Sequence, residues 1–129
     1  MSEWSHLPNA AHIDWIIQDV EPNPSDWVAA WWAARDIARD TAYEAACGAA
    51  WFAARDTVWD AARDTVEVAA LDTTWDAACN AALALIAYDH AGALFDRPLD
   101  QVRVQAYLGQ PAAILLLPAC EVRAMRDLG

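Results

Sequence analysis

Carboxylates recur every fourth residue along the middle of this chain, as Asp36, Asp40 and Glu44 and again as Asp56, Asp60 and Asp64, with arginines and tryptophans set between them. Paired carboxylates can do general acid and base work, but a repeat that scatters Asp along its length makes no single pair distinctive. On a helix such a pattern also opposes stability, because like charges at i and i+4 repel by roughly 0.2–0.5 kcal/mol. Asp36 with Arg39, Asp60 with Arg63 and Arg63 with Glu67 offset part of that repulsion. Two readings are open: a solvated helix face, or an acidic stripe that docks a basic protein or mimics nucleic-acid charge.

The remaining chemistry-bearing residues are sparse. His6, His12 and His90, with Cys47, Cys79 and Cys120, include no C-x-x-C, H-x-x-x-H or H-E-x-x-H spacing. A zinc site built from His90, Asp89 and a cysteine therefore has no motif behind it. The histidines are expected to be satisfied structural residues, and the odd, widely spaced cysteines to be small buried hydrophobes in a reducing compartment. There is no G-x-S-x-G and no phosphate loop, and four glycines leave few places for substrate-cradling loops. The expectation is a protein that is not an enzyme and that uses no metal or cofactor.

Charge narrows the partners. Nineteen acidic residues against eight arginines and no lysine give a formal net charge of -11. Nucleic acid and anionic membranes are bound through dense Lys and Arg, which this chain lacks, so neither is expected as a partner and a basic protein is. The missing lysines also exclude side-chain Schiff-base chemistry, and the bias toward Ala, Arg and Asp is what GC-rich coding tends to produce. The segment MSEWSHLPNAAH has neither a basic nor an apolar signal region, and the apolar stretch from Ala112 to Cys120 falls far short of the ~20 residues a bilayer crossing needs. A soluble, cytoplasmic protein is expected.

The elements that must carry these residues follow from repetition. Residues 25–88 are four ungapped copies of a sixteen-residue unit: SDWVAAWWAARDIARD, TAYEAACGAAWFAARD, TVWDAARDTVEVAALD and TTWDAACNAALALIAY. Each opens on Ser or Thr, has an aromatic at its third position (Trp27, Tyr43, Trp59, Trp75) and then an Ala pair. Good helix formers fill the units and no two-residue alternation appears, so the whole predicts an all-α fold. An unbroken helix over 25–91 would be about 100 Å long, so it must fold back. Gly48 and the Asp-Thr junctions are the candidate breaks, and three long helices over 25–46, 49–70 and 73–94 are favoured over four helices of one repeat each. The expected architecture is a single domain over residues 1–129, a compact bundle of antiparallel helices on a four- and sixteen-residue repeat.

Both flanks read as supporting helices. Residues 1–24 hold a helix over about 9–20 with Asn9 as a plausible N-cap, then Pro22 and Pro24, after which Ser25 caps the repeat region of 25–91. In the capping segment of 92–129, Leu99, Val102, Ala106 and Leu108 define a short amphipathic helix that Gly109 stops. Pro111 suits a first helical turn, Pro118 demands a kink or a second start, and Ile114 to Leu117 should lie in the core.

A four-residue step advances about 40° around a helix each time, so every residue class winds slowly around it. The third class runs Trp27, Trp31, Arg35, Arg39, Tyr43, Cys47, Trp51, Arg55, Trp59, Arg63, a ladder of aromatics and arginines. Stacking of Arg55 between Trp51 and Trp59 would be worth roughly 0.5–1 kcal/mol if exposed. Helix packing is the ordinary use of such a ladder, and a ligand-binding aromatic box the less common one.

The tetrads AARD, TVWD, AARD and TTWD, followed by ALALIAYDHAGALFDRPLDQV and LGQPAAILLLPAC, resemble small Ala/Trp/Asp-repeat proteins encoded by bacteriophages of GC-rich actinobacteria. More distantly they are similar to Ala-rich immunity-protein domains. The resemblance covers about residues 25–120 and implies a source and a helical fold more than an activity. The first functional expectation is an acidic helical protein acting in the host cytoplasm, binding and modulating a host or toxin protein. Its expected interface is Trp51, Arg55, Asp56, Trp59, Asp60, Arg63 and Asp64, with both tryptophans exposed. The alternatives are a self-assembling homo-oligomer and a small-ligand pocket between Trp-lined helices at which Arg35, Arg39, Arg55 and Arg63 converge.

Overall fold

Helix formers fill the segments between the prolines, and helices are what those segments become. The computed structural model describes residues 4–37, 40–54, 59–69 and 72–128. Its elements are α1 (Ala10–Val20), α2 (Pro24–Ile37), α3 (Asp40–Ala54), α4 (Trp59–Ala69), α5 (Asp72–Ala87), α6 (Ala91–Phe95), α7 (Leu99–Tyr107) and α8 (Pro111–Leu128). No strand occurs among the described residues, and the fold is an all-α bundle. It is organised about two helices. α8 packs against α2, α3, α5, α6 and α7, while α5 packs against α1, α2, α3, α4, α6 and α8.

Composition explains that centre. Every residue of α8 from Ala112 to Val122 is buried, as are Ala77 to Ile86 of α5 apart from the half-buried Asn80. A helix that is apolar all round must lie inside, and burial of each of Ile114, Leu115, Leu116 and Leu117 is worth about 1.5–3 kcal/mol. Ala77, Ala78, Ala81, Ala82 and Ala84 supply no bulk, and their small side chains let neighbouring backbones come close. Bulk enters from the sheath through the fully buried Trp27, Phe95, Ile13 and Ile16.

The repeat region departs from the favoured helix bounds at Gly48 and at the end of the last helix, since α3 runs through residues 46–49 and α5 ends at Ala87. Among the described residues each sixteen-residue unit carries a helical segment, α2 to α5, and residues 38–39, 55–58 and 70–71 between those segments lie outside the described residues. Gly48 does not break the chain; it sits inside α3, because a glycine in a helix interior costs only about 1 kcal/mol relative to Ala. Of the Asp-Thr junctions, those at 40–41 and 72–73 lie inside α3 and α5, and the one at 56–57 lies outside the described residues. Among the described residues a Cβ at Gly48 meets nothing within 4 Å. Gly48→Ala is therefore expected to stabilise the protein by about 0.5–1 kcal/mol, read as a rise in the urea midpoint at unchanged slope.

The ends of the helices bring further corrections. α2 begins at Pro24, a residue pre-set for the first helical position, so Ser25 lies within the helix instead of capping it. Asn9 does precede α1, but its side chain makes no cap bond there. Instead its amide donates to the carbonyls of Leu85 at 2.9 Å and Tyr88 at 3.0 Å, closing the C-terminal end of α5. Gly109 stops α7 as expected, in the left-handed region at φ 89°. Its N–H donates to Ala106 O and that of Gln110 to Gln105 O, both at 3.0 Å, the paired bonds of a Schellman ending. Leu108 at this ending faces solvent, away from the core to which its spacing assigned it. Gln110 then caps α8, its side-chain oxygen accepting from the Ala113 N–H at 2.7 Å. Pro118 causes no second start: α8 runs through it, held by the five helices around it.

Salt links tie sheath to centre. Asp19 of α1 is the hub of one, accepting from Arg126 Nη2 at 2.7 Å and Nε at 2.8 Å, and from the buried indole of Trp27 at 3.0 Å. Arg126 also donates to Asp26 at 2.9 Å, so one guanidinium joins α1, α2 and α8. Hydrogen bonding from Arg126 holds the Asp19 carboxyl below its usual value of 3.8 despite burial, with Trp27 and Asn23 assisting. A second link is the two-pronged bond of Arg103 on α7 to the buried Glu121 on α8, at 2.9 Å each.

Candidate functional site

The seven residues of the expected acidic interface separate in the structure. Arg55 and Asp56 lie outside the described residues. Trp51 is 47% exposed on α3, because the inward face of that helix is the stripe Ala46, Ala50 and Ala54. Trp59 is only 7% exposed and belongs to the core. It forms, with Ala62 and Val66, the apolar stripe by which α4 packs on α5, so the expectation of two exposed tryptophans fails at Trp59. Asp60 and Asp64 on α4 are exposed, and Arg63 reaches Asp60 at 3.7 Å and Asp64 at 4.0 Å. No hydrogen bond, ion pair or ring contact among the described residues joins Trp51 to that acidic cluster.

Other exposed aromatics stand where the sequence did not single them out. Phe52 is 67% exposed, and its ring meets Trp51 edge to face at 5.7 Å and 81°. Trp32 is 61% exposed on α2. Beside it, the Arg35 guanidinium lies 4.2 Å from the ring centroid of Tyr43 and 5.4 Å from that of Trp31. Those two rings meet edge to face at 5.4 Å and 87°. Trp31, Arg35 and Tyr43 are consecutive described rungs of the Trp/Arg ladder, so the signal for this box was present in the four-residue step. Trp31, Trp32, Arg35, Tyr43, Glu44 and Asp76 together line a cavity of about 460 Å³. Of the four arginines that were to converge on a ligand, Arg35 serves this box and Arg63 the carboxylates of its own helix; Arg39 and Arg55 are outside the described residues.

A second cluster lies between α1, α6 and α8. His12 Nε2 donates to the Asp96 carboxylate at 3.1 Å, and Arg123 donates to the same group at 2.8 Å. The Arg123 guanidinium stacks 4.5 Å from the Phe95 ring and 5.6 Å from that of Trp15. Burial pushes the Asp96 carboxyl up, but the hydrogen bond and charge of His12, joined by Arg123, hold it below its ordinary value. Among the described residues His12 Nδ1 is buried without a partner, so there this histidine is only partly satisfied. Next to the cluster, Phe95, Asp96, Arg97, Cys120 and Arg123 help to line a cavity of about 630 Å³.

The geometry bears directly on nucleophilic chemistry. Burial pushes the thiols of Cys79 and Cys120 up to about 12 and raises Cys47 as well. A thiol so held is protonated at neutral pH, and the thiolate is the reactive form. His90 does not approach a cysteine group; it accepts from Gln110 Nε2 at 3.3 Å and its ring tilts against Tyr88. Among the described residues no three His, Cys, Asp or Glu side chains gather as a metal-ligating group, and no helix is long and apolar enough to cross a membrane. In comparisons with known proteins, no family model matches this chain, and neither a curated protein nor a solved structure is similar to it.

Proposed function

We propose that this chain is a non-enzymatic acidic helical protein, phage-encoded, that binds and modulates a basic host or toxin protein. The observation that carries the reading is the Trp51–Phe52 pair, two large aromatic rings in mutual contact and standing in solvent on α3. Exposed aromatics are the residues that most often anchor protein interfaces, and leaving them in water is unfavourable for a protein without a partner. Charge selects the partner: a chain of net charge -11, with Asp60 and Asp64 exposed on the next helix, attracts a basic surface and repels an acidic one.

The test is capture from an actinobacterial host lysate at low and at high salt, with the bound proteins identified by mass spectrometry. A basic protein retained at low salt and lost at high salt is expected. Trp51→Ala should weaken its binding by about thirtyfold, as loss of an anchor residue does, and the Asp60→Asn, Asp64→Asn double variant by about fivefold, with helicity unchanged in both. Bait that returns only itself would overturn the reading, and a mass in solution that rises with concentration would then favour self-assembly.

A further inference from the structure

The cavity of about 630 Å³ lies where the segment from the end of α6 to the start of α7 faces the last turns of α8. Two of its charged walls serve the fold. Asp96 accepts from His12 and Arg123, and Arg123 is held 4.5 Å from the Phe95 ring. The other two do not. Arg97, just before α7, and Asp127, near the end of α8, line the same cavity, and both are exposed. Among the described residues neither side chain makes a hydrogen bond or an ion pair, with the other or with any third group.

Opposite charges that share a cavity without closing on each other leave room for a ligand that carries both. Asp96 and Asp127 against Arg97 and Arg123 give the lining no net charge, in a chain whose total is -11. A simple anion would meet Asp127 and a simple cation would meet Arg97, whereas a zwitterion satisfies the two together. Pro98, Leu99 and Ala124 add apolar wall, and the volume is that of a small-molecule site. We infer that this cavity binds a small zwitterion with an apolar side chain, its carboxylate bonded by Arg97 and its ammonium by Asp127. A guanidinium suits the first end because it can bond both carboxylate oxygens at once, and a carboxylate suits the second because it accepts from an ammonium. Free amino acids and dipeptides share this chemistry and differ in the distance between their charges. The inference goes beyond the partner-binding reading and does not depend on it.

The experiment titrates L-leucine and L-leucyl-L-leucine separately into the full ¹⁵N-labelled chain and follows the backbone amide signals. Saturable shifts at millimolar ligand, confined to residues 95–99 and 120–127, are expected, and the tighter binder reports the charge spacing. Removing one ligand charge should weaken binding by about fivefold, whether the N-acetylated form is used, which lacks the ammonium, or the C-amidated form, which lacks the carboxylate. Arg97→Gln should erase the preference for the free over the amidated form. Asp127→Asn should erase the preference over the acetylated form, and the fold survives both changes because both positions are exposed.

Shifts that never saturate, or that spread over the whole chain, would overturn the site. So would equal binding of the three forms, or preferences that persist in both variants. The two readings fail separately: ligand binding without a captured partner would overturn the proposed function alone, and partner capture without ligand binding would overturn this site alone.

Discussion

Asp19→Ala is expected to lower the unfolding free energy by about 3 kcal/mol, the cost of removing one partner from a largely buried ion pair. The side chain is 12% exposed and accepts from Arg126 through both of its oxygens. Removing it leaves the Trp27 indole N–H, which is packed in the core, without its acceptor, and loosens the guanidinium that joins α1 and α2 to α8. Asp19→Asn keeps the volume and part of the hydrogen bonding, so its loss should be smaller. Urea unfolding at pH 7 measures both, and a loss under about 1 kcal/mol for the alanine variant would show that Asp26 alone can hold Arg126 in place.

The same pair sets a pH dependence with a definite sign. Pairing with Arg126 holds the folded-state carboxyl of Asp19 below its unfolded value of 3.8. As pH falls the unfolded chain takes up this proton first, so the unfolded state binds more protons and stability decreases. The contribution of Asp19 is fully present above the unfolded value and is lost as pH falls below 3.8 through the folded one. The difference between wild type and Asp19→Ala should accordingly be constant from pH 5 to 7 and shrink below pH 4. A difference that stayed constant down to pH 2.5 would show that hydrogen bonding independent of charge carries the site.

Gly92→Ala is the second large effect, expected to destabilise by about 2–4 kcal/mol. A Cβ at this buried position would lie 2.2 Å from Asn9 Oδ1, 3.0 Å from Asn9 Cγ and 3.1 Å from His12 Cε1. Asn9 cannot simply swing aside, since it is buried and its amide is committed to the last carbonyls of α5. Displacing it would free those carbonyls inside the protein. A double-mutant cycle isolates the cause: in an Asn9→Ala background the clash is gone, and Gly92→Ala should there cost less than about 1 kcal/mol. Equal costs in the two backgrounds would assign the effect to His12 and the α6 backbone instead.

Some of this architecture was legible in the residues alone. Helix as the local structure followed from the absence of alternation and the density of Ala, and the burial of Ile114 to Leu117 followed from their hydropathy. Gly109 was legible as a stop because a left-handed residue ends helices and glycine adopts that backbone freely. The Trp/Arg ladder contained the Arg35 box, although spacing drew attention to Arg55 instead. Asp19 carried no sequence signal, because its partner Arg126 is remote in the chain and both look like ordinary surface charges.

What the sequence by itself determined is an all-helical, acidic protein whose units are sixteen residues long, since periodicity, propensity and charge are properties of the chain before it folds. Which aromatic is buried was decided only by tertiary packing. Trp51 and Trp59 hold the same place in the four-residue step, yet one faces water and the other the core. A class that precesses by about 40° per step reaches every side of a helix in turn, so no residue's class states which way it faces. Docking of each short helix on α5 or α8 selects one stripe of it for burial. That selection is what leaves Trp51, Phe52 and Trp32 in solvent and encloses Trp27 and Trp59.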